Sequence, residues 1–126
     1  MLATQQAIDQ IIIAARTGNT AKIAFRETTG TSLVGLESTI LAEAAQHNRL
    51  NVLEYMEATS QRVADGVEGI LDYPLYVAIK NNRIGFSSYI ISKMKYPPAD
   101  YIREMVSESH EYRYFHRMIA AQDKKV

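Results

Sequence analysis

The chain has 126 residues, enough for one domain of ordinary size and too few for two. Its 14 Lys and Arg balance 14 Asp and Glu, which argues against non-specific nucleic-acid or anionic-membrane binding, both of which need excess positive charge. It has no Cys, which excludes a disulfide framework, a thiolate nucleophile and a Cys-based zinc site.

The opening residues, MLATQQAIDQ, carry no basic region and no long apolar run, so a signal peptide is not expected. Residues 2–15 read as a helix with Thr4 as N-cap and Ala7, Ile8, Ile11, Ile12 and Ala15 on one face. Ile13 makes that run apolar almost all round, the pattern of a helix enclosed by neighbours. Gly18-Asn19 ends it, because Gly takes a left-handed conformation without a Cβ penalty. A short second helix follows over 21–26. Residues 27–38, rich in Gly, Ser and Thr, read as a loop that packs down through Leu33, Val34 and Leu36.

The next helix is expected over 39–46, with Thr39 as its cap, then a turn at Asn48-Arg49 and a returning helix over 50–59 bearing Leu50, Leu53 and Met56 on one face. Residues 60–72 read as a second loop around Asp65-Gly66. Pro74 suits the first turn of a helix that runs to Lys80. Asn81-Asn82 is the turn, 84–93 the returning helix, and Pro97-Pro98 the stop. Residues 100–121 read as helix broken near 107–109, with Ile102, Met105, Val106 and Ser109 continued by Tyr112, Phe115 and Ile119 on one face. Residues 122–126 read as a frayed tail. No segment shows the period-two alternation of a strand, and none reaches the roughly 20 apolar residues of a membrane span.

Three stretches echo one another when aligned on Ala14, Ala44 and Ala78, at steps of 30 and 34 residues. The turn after the first helix is Gly18, Asn48 or Asn82, types that tolerate the left-handed region. The second helix carries Ile23-x-Phe25, Leu53-x-Tyr55-Met56 or Phe86-x-x-Tyr89-Ile90. Tyr73-Pro74-Leu75-Tyr76-Val77-Ala78 and Thr39-Ile40-Leu41-Ala42-Glu43-Ala44-Ala45 resemble the ankyrin pattern T-P-L-H-x-A-A-x-x-G. The resemblance covers about residues 9–91. It implies an all-α fold of three stacked antiparallel helix pairs, with units near 4–30, 39–66 and 73–96 and a C-terminal helical cap over 98–121. A lone helix pair cannot bury its apolar face, which favours stacking on physical grounds as well.

Catalytic signatures are sparse. His110-Glu111 begins like H-E-x-x-H, but Tyr114 stands where the second His belongs, and His110 and His116 are six residues apart rather than four. There is no P-loop, G-x-S-x-G or G-x-G-x-x-G. Glu108, Glu111 and Asp123 read as a solvated helix face. No enzyme activity, cofactor or metal is therefore expected.

The resemblance implies a protein-binding module that meets its partner at loop tips and at the ends of the first helices. Carried over, those positions are Arg16, Thr17, Leu36, Ser38, Gln46, His47, Ile70, Asp72, Lys80 and Asn81. A second candidate interface is the Tyr/Arg-rich C-terminal segment, with Tyr101, Tyr112, Arg113, Tyr114 and Arg117, because Tyr and Arg anchor protein interfaces. That segment is also the candidate seat of a homodimer. The functional expectation is a small regulator or inhibitor that binds and occludes a partner enzyme, a bacterial effector or host protein in the setting the resemblance suggests, with a structural scaffold subunit as the alternative. Neither nucleic acid nor membrane is expected as a partner. The expected location is the cytoplasm, bacterial or host.

Overall fold

A computed structural model describes residues 4–67 and 69–124. Among them all regular structure is helical. The helices are α1 (Gln5–Thr17), α2 (Thr20–Thr28), α3 (Glu37–Gln46), α4 (Leu50–Thr59), α5 (Gln61–Ala64), α6 (Asp72–Lys80), α7 (Ile84–Lys93), α8 (Asp100–Glu108) and α9 (Arg113–Asp123), with a 3-10 turn at His110–Tyr112 between the last two.

Helices α1, α3 and α6 lie side by side, and each packs against the helix that follows its tight turn: α2, α4 and α7 respectively. The alanines that align the three stretches are fully enclosed at these contacts. Their carbonyls also close the turns. Asn19, Arg49 and Arg83 donate their backbone N–H to Ala14, Ala44 and Ala78 at 2.8, 2.7 and 2.8 Å. Gly18, Asn48 and Asn82, one residue earlier, all have positive φ. This is the Schellman arrangement, which satisfies the orphan carbonyls at a helix C-terminus. Gly18 has a second reason to be glycine. A Cβ there would come within 3.2 Å of the Asn51 side chain, which donates to the Gly18 carbonyl at 2.8 Å. The position matching Asn51 in the third pair is Gly85, which has no amide to repeat this bond.

Side chains tie neighbouring pairs together at the same register. Arg49 donates from Nε to the Arg16 carbonyl at 2.9 Å, and Arg83 donates to the Gln46 carbonyl at 3.0 Å. On the second helices, the Tyr55 hydroxyl donates to Glu27 at 2.7 Å and the Tyr89 hydroxyl to Glu57 at 3.1 Å. The first pair has no predecessor among the described helices, and it carries Asn19 and Phe25 where the others carry Arg and Tyr. At the other end, Ile91 occupies the position of Glu27 and Glu57. It is buried, and there α9 packs on α7. The polar tie is thus replaced by an apolar contact where α9 packs on α7.

Several expectations need correcting. Ile13 is 55% exposed, so α1 is not enclosed all round. Neighbours stand on only part of its circumference, toward α2 and α3. Thr39 does not cap α3, which starts two residues earlier at Glu37. The Glu37 carboxylate is buried; it accepts from the Gly35 N–H at 2.6 Å and from Arg62 Nε at 2.8 Å. Arg62 sits on α5, inside the stretch expected to be loop; Ser60 caps that short helix through its hydroxyl. Leu33 packs down as expected, but Val34 points outward at 70% exposure. The C-terminal helix does not fray at Gln122. It continues to Asp123, held by a two-pronged ion pair with Arg103 at 3.0 Å. That bond lowers the Asp123 pKa below the ordinary carboxylate value. The expected break lies at Ser109, whose hydroxyl accepts from the Glu111 N–H and restarts the chain as the 3-10 turn.

Candidate functional site

The ten first-choice positions fall at two opposite ends of the first helices. Arg16, Thr17, Gln46, His47, Lys80 and Asn81 lie at the C-terminal ends of α1, α3 and α6, and all six are exposed. Leu36, Ser38, Ile70 and Asp72 lie at or before the N-terminal ends of α3 and α6. A ten-residue helix is about 15 Å long, so these are two groups and not one patch. The sequence places a loop tip and a turn equally well at a helix end, but not which end a surface shares. Ile70 is buried and belongs to the core rather than to any loop tip, and Leu36 is packed against that core. Arg16 is committed to Glu43 across the α1–α3 seam at 2.8 Å, a bond that raises its pKa.

Toward the N-terminal end of α6, a cluster of aromatic rings joins that helix to α8. Tyr73 and Tyr76, one turn apart, stack with ring centroids 6.4 Å apart and planes 16° apart. Tyr101, from the first turn of α8, meets Tyr76 edge-on at 5.7 Å and 62°. Tyr73 is 53% and Tyr101 46% exposed. Asp72, the first residue of α6, accepts the Ala99 N–H at 3.1 Å and so joins the cap to the third pair. Burial, then the Asp72 charge and the neighbouring tyrosines, raises the Tyr101 pKa. No family model, curated protein or solved structure matches this chain.

The second candidate interface divides in two. Tyr101 joins the α6 tyrosines, whereas Tyr112, Arg113, Tyr114 and Arg117 gather at the far end of α8. There Tyr112 is half-buried against the core and Phe115, while Tyr114 meets Phe115 edge-on at 6.0 Å and stays exposed. Arg113 approaches His110 Nδ1 at 3.3 Å, and Arg117 is exposed. His110 and His116 border an open surface cleft of about 200 Å³ with Glu108 and Arg113. Its side chains converge on no enclosed point where a substrate would be held away from water. Among the described residues, no three His, Asp or Glu side chains are grouped to hold a metal ion. No helix among them is long and apolar enough to cross a membrane.

Tyr73 and Tyr76 were not among the candidate positions. The available signal was their spacing of three on a short helix, which puts both rings on one side. That the α6 pair is completed by a residue 25 positions onward is a tertiary fact.

Proposed function

We propose that the chain is a non-enzymatic, ankyrin-like protein-interaction module that regulates a partner enzyme by covering its active site or substrate-docking surface. The observation that carries this reading is the Tyr73–Tyr76–Tyr101 cluster joining α6 and α8, in which Tyr73 and Tyr101 are about half exposed. Tyrosine is favoured at interface centres because it offers large, rigid area with a polar tip. The repeated turns at Gly18, Asn48 and Asn82, and the ties that link successive pairs, support ankyrin-like stacking. Stacked repeats present an extended concave surface to a partner. Occlusion needs only an interface of ordinary size, about 800 Å² on each partner.

The test is affinity purification from the native cell, followed by assay of any co-purified enzyme with and without this chain. Stoichiometric capture, a lowered enzyme rate and loss of capture with Tyr73→Ala/Tyr101→Ala are expected. Capture that survives those changes but fails with Gln46→Ala/His47→Ala/Lys80→Ala would move the interface to the turn end of the helices. An enzyme that binds yet keeps its full rate would make the chain a scaffold subunit instead.

A further inference from the structure

We infer that the Tyr73–Tyr76–Tyr101 cluster receives an arginine side chain presented by the partner protein, an inference that rests on the interaction reading above. The rings come from two helices, Tyr73 and Tyr101 are about half exposed, and an aromatic face is the negative pole of the ring quadrupole. One Asp72 oxygen is used by the Ala99 N–H, and Asp72 takes part in none of the ion pairs among the described residues. Asp72 directly precedes Tyr73, and its carboxylate is bonded to Ala99, two residues before Tyr101, so carboxylate and rings share one site.

Among the described residues, none supplies a cation to these rings and carboxylate. Elsewhere the chain supplies both ring and cation. Lys22 and Arg26 lie over Phe25 at 5.6 and 5.8 Å, and Lys93 lies over Tyr89 at 5.5 Å. Arg103, close by in sequence on α8, is forked onto Asp123. The missing complement is a positive group. Arginine fits it better than lysine, because a planar guanidinium stacks on a ring and donates to a carboxylate at once. A lysine ammonium answers the charge but not the stack.

The experiment titrates the isotope-labelled full chain with N-acetyl-arginine amide and follows the tyrosine ring signals by NMR. N-acetyl-citrulline amide, of the same shape without charge, and N-acetyl-lysine amide are the controls. Saturable shifts confined to Tyr73, Tyr76 and Tyr101 are expected, with both controls binding more weakly. Tyr101→Leu, Tyr73→Leu and Asp72→Asn should each weaken the response about two- to five-fold. The two tyrosines are half exposed, and asparagine keeps the acceptor for Ala99, so the spectrum elsewhere should hold its native dispersion. No saturable shift at the cluster, or an equal response to citrulline or lysine, overturns the inference. The probe needs no partner protein, so the two readings fail separately. Arginine binding without any captured protein supports this site and overturns the interaction module. A captured partner that depends on Tyr73, with no arginine response, does the reverse.

Discussion

Arg83 donates from its guanidinium to the Gln46 main-chain carbonyl at 3.0 Å, and Arg49 makes the equivalent bond to the Arg16 carbonyl at 2.9 Å. Each arginine follows the left-handed residue of its own turn and reaches back to the last turn of the preceding first helix. A cation there also opposes the negative end of that helix dipole. The chain thus uses one residue both to complete its own helix cap, through the backbone N–H, and to register the neighbouring pair, through the side chain.

Arg83→Ala should therefore lower stability by about 0.5–1.5 kcal/mol, the net value of such a bond at a partly exposed site. Arg49→Ala should cost less, since Arg49 is exposed. Asn19→Ala touches no preceding pair and should lose only its cap to Lys22 N–H. Thermal melts of the three variants check this; an unchanged Arg83→Ala midpoint removes the tie from the account of stacking.

Tyr55 makes stability depend on alkaline pH. Burial first, then the bond to Glu27 and that residue's charge, pushes the Tyr55 pKa up from 10.0 to about 12. The neutral hydroxyl is the form the fold favours. Its contribution is complete below pH 10, where the unfolded tyrosine is also protonated. It is lost as pH rises from about 10 to 12, where the unfolded chain ionises first. Denaturant midpoints measured across that window should fall, and Tyr55→Phe should fall less steeply while being less stable at neutral pH.

Ala44→Leu tests the close approach of the first helices. Ala44 has no exposed surface and α3 is packed by both α1 and α6, so added methylenes have no free volume to enter. A loss of roughly 1–3 kcal/mol is expected from urea unfolding. A native-like midpoint would show that the alanine register is not a packing requirement.

Ser87→Ala should stabilise. Ser87 is fully buried on α7, and among the described residues its hydroxyl has no hydrogen-bond partner. Removing the oxygen should raise stability by about 1 kcal/mol. An equal loss on unfolding measurements would mean that the hydroxyl is in fact satisfied.

The all-helical character, the three turns and the limits of α4 and α7 were legible in the residues themselves. They rest on local physics: period-3.6 apolar patterning, left-handed Gly18, Asn48 and Asn82, and Pro74 in a first turn. Helices α4 and α7 run over the limits expected from sequence because both are bounded by such local signals. Where a helix limit is held by a distant partner, sequence reading failed. Glu37 opens α3 with its carboxylate held by Arg62, 25 residues away, and α9 keeps its last turn because Asp123 meets Arg103, 20 residues back.

The surface was the least legible part. Ile13 and Ile70 are both isoleucines in plausible positions, yet one is mostly exposed and the other buried, because burial depends on which neighbours arrive. Chain order likewise placed Tyr101 with Tyr112 and Tyr114, whereas the fold carries α8 along the end of the stack and sets Tyr101 beside Tyr76 instead. Sequence by itself determined most of the helices and their turns, since each depends on residues within a few positions of one another. Only the tertiary structure decided which aromatic rings share a face and which charges remain without a partner, since those depend on helices that the chain brings together from far apart.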